Sequence, residues 1–199
     1  MQLSSWNKSK VTYVLAALAL LALAPLSARA DQILSVLPGD SRLKYKIVHT
    51  LHEVEATSSQ LEGKVAVKDD GSVQVMVRAK VAGFASGDTN RDEHMQEVME
   101  AATYPTVTFK GLAKITVPPA YPAKVDVPLF GELEMHGQKF PETINLHVEM
   151  ASATSWKVKG TFDVSLDKYK VERPALLLKK IDDACHMTIE LTLLPALPK

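Results

Sequence analysis

The sequence has little cysteine, few aromatic residues and no excess of charge of either sign. Cys185 is the single cysteine among 199 residues, so no intramolecular disulfide can form and stability must come from packing. Lysine plus arginine and aspartate plus glutamate number 23 each. That balance gives no electrostatic footprint for nucleic acid or for an anionic membrane.

Motifs that carry catalysis are also missing. There is no G-x-S-x-G nucleophile elbow, no glycine-rich phosphate loop, no H-E-x-x-H and no Cys/His zinc spacing. Cys185 falls in an apolar register, where a thiol behaves as a small hydrophobe rather than as a nucleophile. The sequence therefore predicts a protein that is not an enzyme and that has no metal and no cofactor.

Residues 1–30 differ in composition from the rest of the chain. Lys8 and Lys10 precede an apolar run over 11–23, Pro25 follows, and 28–30 reads ARA, with small residues at the two positions that a signal peptidase reads. The run is shorter than the roughly 20 residues that span a bilayer. This pattern predicts a cleavable signal peptide over 1–30 and a periplasmic protein, with an uncleaved anchor as the alternative. Residues 31–199, which carry a formal net charge of −3, suit one domain.

Eight runs in this domain alternate apolar and polar side chains with a period of two. Such alternation indicates antiparallel strands with one wet face. The eight strands could form a two-layer sandwich or a closed barrel, and their length favours an eight-stranded antiparallel lipocalin-like β-barrel. The runs cover 43–49, 61–68, 73–81, 107–115, 125–135, 143–150, 156–167 and 185–193.

Four of these strands have a glycine in the apolar, inward register. Because a glycine leaves space, we expect a ligand cavity inside the barrel. The alternative is that the glycines only mark bends. The residues expected to line the cavity are His49, Gly63, Val77, Met95, Met99, Phe109, Gly111, Gly131, Gly160 and Phe162.

One short helix interrupts the strands. Over 90–102, apolar residues recur with helical spacing, and Asn90 with Glu93 forms a plausible capping box. We expect this helix between strands three and four, where it covers one mouth of the barrel. Its Met95 and Met99 suit either an adaptable lid or plain core filling.

The segment 169–184 holds three consecutive leucines, Leu176–Leu178, flanked by Arg173 and by Lys179 and Lys180. It is either a flap that makes transient contact with a membrane or a partner, or a loop folded over the barrel end with its leucines buried.

The region around the helix is similar to a known family. Residues 87–95 read GDTNRDEHM, 104–109 read YPTVTF and 133–137 read LEMHG, while His49 closes the first strand. These motifs resemble the YceI-like proteins, and the resemblance extends over 31–199. The family often has S-x-D-F-F after the helix start, whereas 96–100 read QEVME here.

The resemblance implies a periplasmic lipocalin-like barrel with an elongated apolar cavity for a polyisoprenoid. We therefore expect a carrier that sequesters a polyprenyl lipid or an isoprenoid quinone, with His49, Arg91 and His94 as candidates for contacting its headgroup. One alternative is an enzyme on an apolar lipid with Arg91, Asp92 and His94 as acid–base groups. Another is an adaptor that docks on a membrane or electron-transfer partner through 176–180.

Overall fold

The computed structural model describes residues 31–49, 52–173, 175–176 and 179–196, without the side chains of 49, 52, 175, 176, 179 and 180. The predicted signal peptide, 1–30, lies outside these residues. The described residues form twelve strands and one α-helix, α1 (Thr89–Val98). The strands are β1 (Gln32–Val36), β2 (Arg42–His49), β3 (His52–Ser58), β4 (Leu61–Val67), β5 (Ser72–Lys80), β6 (Thr106–Lys114), β7 (Ala123–Met135), β8 (Gln138–Ser152), β9 (Ser155–Ser165), β10 (Ala175–Leu176), β11 (Lys179–Lys180) and β12 (Ala184–Pro195).

The strands form a closed antiparallel barrel. The order β1-β4-β5-β6-β7-β8-β9-β12 returns to β1 through the β1–β12 pairing, so eight strands complete the ring. β12 pairs with β1 near its C-terminal end and with β2 along the rest of its length. On the other side, β4 pairs with β1 and β3 pairs with β2. β1 with β2, and β3 with β4, therefore act as interrupted halves of two long strands. The prediction of an eight-stranded antiparallel barrel is confirmed.

Side chains alternate across the barrel wall as the period of two requires. On β7, for example, Val127, Leu129 and Leu133 are buried while Pro128 and Phe130 are exposed. The buried side chains of all the long strands meet in one hydrophobic core inside the barrel. No helix among the described residues is long and apolar enough to cross a membrane.

The predicted position of the helix between strands three and four is wrong. In the structure α1 follows β5. The prediction was wrong because it did not include β1 and β3 among the strands. The cap also differs, since Asp88 rather than Asn90 is the N-cap and its carboxylate accepts a hydrogen bond from the backbone N–H of Arg91 at 3.1 Å. A second carboxylate, Asp92, accepts from the N–H of Ser86 at 2.9 Å and fixes the loop that enters the helix.

The two ends of the barrel are built differently, and we name them for what covers them. The helix end contains α1, the His136–Gly137 turn between β7 and β8, and Tyr169. The closed end contains the turns between β4 and β5 and between β8 and β9, with Trp156 and Ile115 buried beneath them.

Candidate ligand-binding cavity

A cavity of about 550 Å³ occupies the interior of the barrel. This volume lies within the range of roughly 300–1,000 Å³ that is typical of ligand pockets. Its walls are almost entirely aliphatic and aromatic, and every long strand of the barrel contributes. Representative lining residues are Leu43, Ile47, Val54, Val65, Val75, Phe84, Val107, Ala113, Val127, Leu129, Leu146, Trp156, Val158, Met187, Ile189 and Leu193.

Five of the side chains that the sequence placed in the cavity lie on its wall. Val77 and Phe109 face it from neighbouring strands, where they are paired in register, and Phe162 faces it from β9. Met95 and Met99 reach it from the helix end and are half-buried. The helix residues therefore form part of the cavity wall as well as covering the barrel.

The four inward glycines are not on the cavity wall. A Cβ atom built on Gly131 would lie 2.5 Å from Cζ of Phe109, and one on Gly111 would lie 2.6 Å from Cε1 of the same ring. Likewise, a Cβ on Gly63 would meet Val77 Cγ2 at 3.0 Å, and one on Gly160 would meet Leu146 Cδ2 at 2.7 Å. Neighbouring side chains and, at Gly63 and Gly131, backbone carbonyl oxygens occupy the space that these glycines leave, so the glycines permit close packing of the wall.

The structure describes the side chains of two of the three residues that were predicted to contact a headgroup. Arg91 and His94 line the cavity at the helix end and remain largely exposed. Nη2 of Arg91 lies 3.6 Å from a carboxylate oxygen of Asp88, and Nδ1 of His94 lies 3.5 Å from one of Glu97. The side chain of His49 lies outside the described residues, as do Leu177, Leu178 and the side chain of Leu176.

Two buried polar groups inside the cavity were missed as candidates for ligand contact. The Tyr45 hydroxyl and the Cys185 thiol both belong to lining residues that are buried in the core. Burial, with smaller contributions from Cys185 and Asp92, raises the pKa of Tyr45 to about 12. Burial, assisted by Asp163, raises the pKa of Cys185 to about 12. Both groups stay protonated at neutral pH, so Cys185 is not a thiolate nucleophile.

The charged groups around the mouth largely neutralise one another. Besides the Arg91–Asp88 and His94–Glu97 pairs, Nε of the lining residue Arg78 donates to Glu62 at 2.9 Å. A fourth lining residue, Glu172, adds a carboxylate. Among the side chains that the structure describes, this arrangement offers no unpaired cluster of cations for a strongly anionic headgroup.

His136 fastens the helix end to the barrel, which the sequence did not indicate beyond its place in the LEMHG motif. Its ring is buried and its Nδ1 lies 3.1 Å from the backbone oxygen of Tyr169. Its Nε2 has no hydrogen-bond partner among the described residues but lies 3.3 Å from a carboxylate oxygen of Glu100, just beyond α1. Tyr104 packs edge-on against the imidazole, with ring centroids 5.2 Å apart. The described part of the chain holds no cluster of three or more potential metal ligands.

A closed β-barrel with an apolar internal cavity and a helix over one end defines a class of small-molecule-binding barrels. Residues 34–193 match the family model of the YceI-like domain, and the chain belongs to this family. No curated protein matches the sequence.

Solved structures of similar fold agree with this membership. A polyisoprenoid binding domain from Saccharophagus degradans, implicated in plant cell wall breakdown, is 19% identical, with a TM-score of 0.68 over 82% of this chain and 98% of that chain. BcnA of Burkholderia cenocepacia is 18% identical, with a TM-score of 0.62 over 79% and 98%. The Campylobacter jejuni YCEI protein is 14% identical, with a TM-score of 0.56 over 75% and 90%.

Proposed function

We propose that this protein is a periplasmic carrier that holds a long apolar isoprenoid lipid in its barrel and does not turn it over. The observation that carries the proposal is the cavity of about 550 Å³ with its almost wholly apolar wall. A polyisoprenoid-binding domain among the proteins of similar fold supports it. Export depends on the signal peptide that residues 1–30 resemble.

The apolar tail supplies most of the binding energy in this proposal. Each buried CH₂ group contributes about 0.8 kcal/mol, so one isoprene unit contributes roughly 3 kcal/mol. Association and chain ordering cost roughly 4–15 kcal/mol. A handful of buried isoprene units therefore gives net binding, whichever headgroup the lipid has.

Polar contacts orient the lipid rather than hold it. The Tyr45 hydroxyl can donate one hydrogen bond within the cavity, and the described residues offer it no other partner. Arg91 lies at the mouth with its Nη2 3.6 Å from the Asp88 carboxylate, and His94 lies there with its Nδ1 3.5 Å from the Glu97 carboxylate. These contacts suit an uncharged polar end, such as a quinone or an alcohol, better than a phosphate.

The direct test is organic extraction and mass spectrometry of the protein, purified without detergent from the cells that make it. We expect a prenyl lipid or an isoprenoid quinone in near-stoichiometric amount. A protein that emerges free of lipid and also fails to take up added isoprenoids would overturn the carrier.

A cavity-filling variant locates the ligand. Leu146 lines the cavity and is only half-buried, so Leu146→Trp places a large ring in the lumen, whereas Asn145→Trp places it on the exposed outer face of the same strand. We expect Leu146→Trp to weaken uptake of a labelled isoprenoid at least about tenfold, at a cost of about 1–3 kcal/mol in stability. Equal uptake by two folded variants would place the ligand outside the barrel.

A further inference from the structure

The outer wall of the barrel carries an apolar patch that the ligand cavity does not explain. Among the described side chains, four large hydrophobic residues are exposed, namely Ile33, Met76, Leu112 and Phe130, and we call them the outer patch. Leu112 and Phe130 are 62% and 58% exposed, and both lie in the outward register of strands whose alternate residues line the barrel interior. Burial in the core therefore does not account for these side chains.

The outer patch is contiguous across the sheet. Leu112 on β6 is directly opposite Phe130 on β7, and it is opposite Gln74 on β5. The same row continues through Ala66 on β4 to Ile33 on β1. Met76 lies two residues from Gln74 and so faces the same side. A shallow groove of about 490 Å³ is lined by Met76, Leu112 and Phe130, and Gly111 and Gly131 also line it.

The lysines around the outer patch differ from most others in the protein. Three lysines flank the outer patch: Lys64 on β4, Lys68 just after β4, and Lys110 on β6. None of them has a carboxylate partner among the described residues. Glu132 is opposite Lys110 in the strand register, but no ion pair joins them. Elsewhere on the wall lysines are paired with carboxylates, as in Lys44–Glu55, Lys46–Glu53, Lys114–Asp70, Lys124–Glu149, Lys139–Glu134, Lys159–Glu190 and Lys168–Glu142.

We propose that the outer patch docks on an anionic phospholipid surface. Protruding Leu and Phe side chains insert into the boundary between headgroups and acyl chains, while neighbouring lysines contact lipid phosphates. The chain as a whole has no excess of positive charge, so its composition does not predict such a surface. Lys64 and Lys110, on either side of Met76 in the strand register, nevertheless place two lysines in this patch, with Glu132 as the acid opposite Lys110. A second copy packed symmetrically on the same patch would bring the two sets of lysines together, which disfavours a dimer there.

This surface is separate from the cavity and does not depend on the proposed ligand. The patch lies on β1, β4, β5, β6 and β7, whereas the cavity mouth lies at the helix end. It also differs from the leucine segment 176–178, so variants of the patch leave that segment unchanged.

Vesicle flotation tests the proposal. The protein is purified from the cells that make it, without detergent. Its binding to phosphatidylcholine vesicles is compared with its binding to vesicles that contain about a third phosphatidylglycerol. We expect binding to the anionic vesicles to exceed binding to the neutral ones and to fall as salt is raised. Leu112→Ser combined with Phe130→Ser should weaken the anionic binding by at least about tenfold. Lys64→Gln combined with Lys110→Gln should weaken it by about fivefold per lysine.

A charge-matched control is available in the chain. Lys157→Gln combined with Lys170→Gln removes two exposed lysines, on β9 and after it, that also lack carboxylate partners among the described residues. We expect this variant to bind nearly as well as the unchanged protein. Absence of any preference for anionic vesicles, or an equal loss in patch and control variants, would overturn the proposal. Self-association in solution that the Leu112→Ser and Phe130→Ser changes abolish would assign the patch to a dimer instead.

Discussion

The closed end and the helix end of the barrel seal the same cavity with different degrees of packing. At the closed end Trp156 is 5% exposed, and its indole N–H donates to the Ala153 backbone oxygen at 3.0 Å. Ile115 is buried beside it, and its backbone N–H donates to the Gly71 carbonyl at 2.9 Å. At the helix end, α1 contains no fully buried residue.

This difference indicates which end opens. Segments with few buried apolar contacts open locally at a lower free energy than the packed core does. Met95, Val98 and Met99 pack against the core but are only half-buried, and the polar contacts of His136 and Asp92 lie on either side of them along the chain. A ligand should therefore enter and leave past α1, while the closed end remains shut.

The largest effect should follow from removing the seal at the closed end. Trp156→Ala should lower the free energy of unfolding by about 3–5 kcal/mol, because a large ring is lost from a packed site. Denaturant titration measures it, and Trp156→Phe, which keeps most of the apolar volume, is the matched control. A loss below about 1 kcal/mol would mean that the closed end is no better packed than the helix end.

His136→Ala should have the next largest effect and should act on the helix end. It removes the Nδ1 contact to the Tyr169 carbonyl and the approach to Glu100, so we expect a loss of about 1–3 kcal/mol. Hydrogen exchange should speed up in α1 more than in β7. His147→Ala, which removes an exposed pair with Asp126, should cost about 0–1 kcal/mol. Uniform acceleration of exchange in α1 and β7 would show that His136 does not act locally.

Met99→Ala should have a smaller effect on stability than either change, because Met99 is only half-buried. We expect a loss of about 1 kcal/mol. If α1 covers the entrance, release of a labelled isoprenoid should become faster than in Glu97→Ala, which alters an exposed position of the same helix. Unchanged release in a folded Met99 variant would place the entrance elsewhere.

Alkaline pH should weaken the barrel with almost no effect at neutral pH. The pKa values of Tyr45 and Cys185 are raised to about 12 in the folded protein, from ordinary values of 10.0 and 9.0. Above about pH 9 the unfolded chain loses protons that the folded chain keeps, so stability should fall as pH rises towards 12.

Denaturant titration over a pH series measures this slope, and Tyr45→Phe combined with Cys185→Ala should flatten it. The double variant should not abolish the pH dependence, because burial also raises the pKa of Tyr169. A double variant with an unchanged slope would show that neither group is titrated in the unfolding transition.

The barrel could be predicted from the sequence because each long strand alternates apolar side chains that face the interior with polar side chains that face solvent. β1 and β3 escaped notice for opposite reasons. β1 has the exposed Ile33 in its outward register, which breaks the alternation. The described apolar side chains that β3 turns inward are Val54 and Ala56, and the next inward residue is the buried, polar Ser58. Both are short halves of interrupted strands, so neither is long enough to show a clear alternation of apolar and polar residues.

The cavity was predictable in part. Register alone places Val77, Phe109 and Phe162 inside the barrel. It could not show that the Phe109 ring covers Gly111 and Gly131, because which neighbour fills the space above a glycine depends on strand pairing. Pairing also aligns Leu112 with Phe130, which in the sequence are isolated apolar residues in polar registers.

The seam at which β12 meets β1 and β2 has a consequence for the order of folding. Most other neighbours in the ring are consecutive along the chain, so they can pair as soon as each hairpin has been synthesised. The seam instead joins residues as far apart as Leu34 and Pro195, and β12 must emerge before it can form. Without β12 the chain would form an open sheet with unpaired edges on β1, β2 and β9. Ring closure is therefore a late event of folding, and until it happens those edges need protection from other chains.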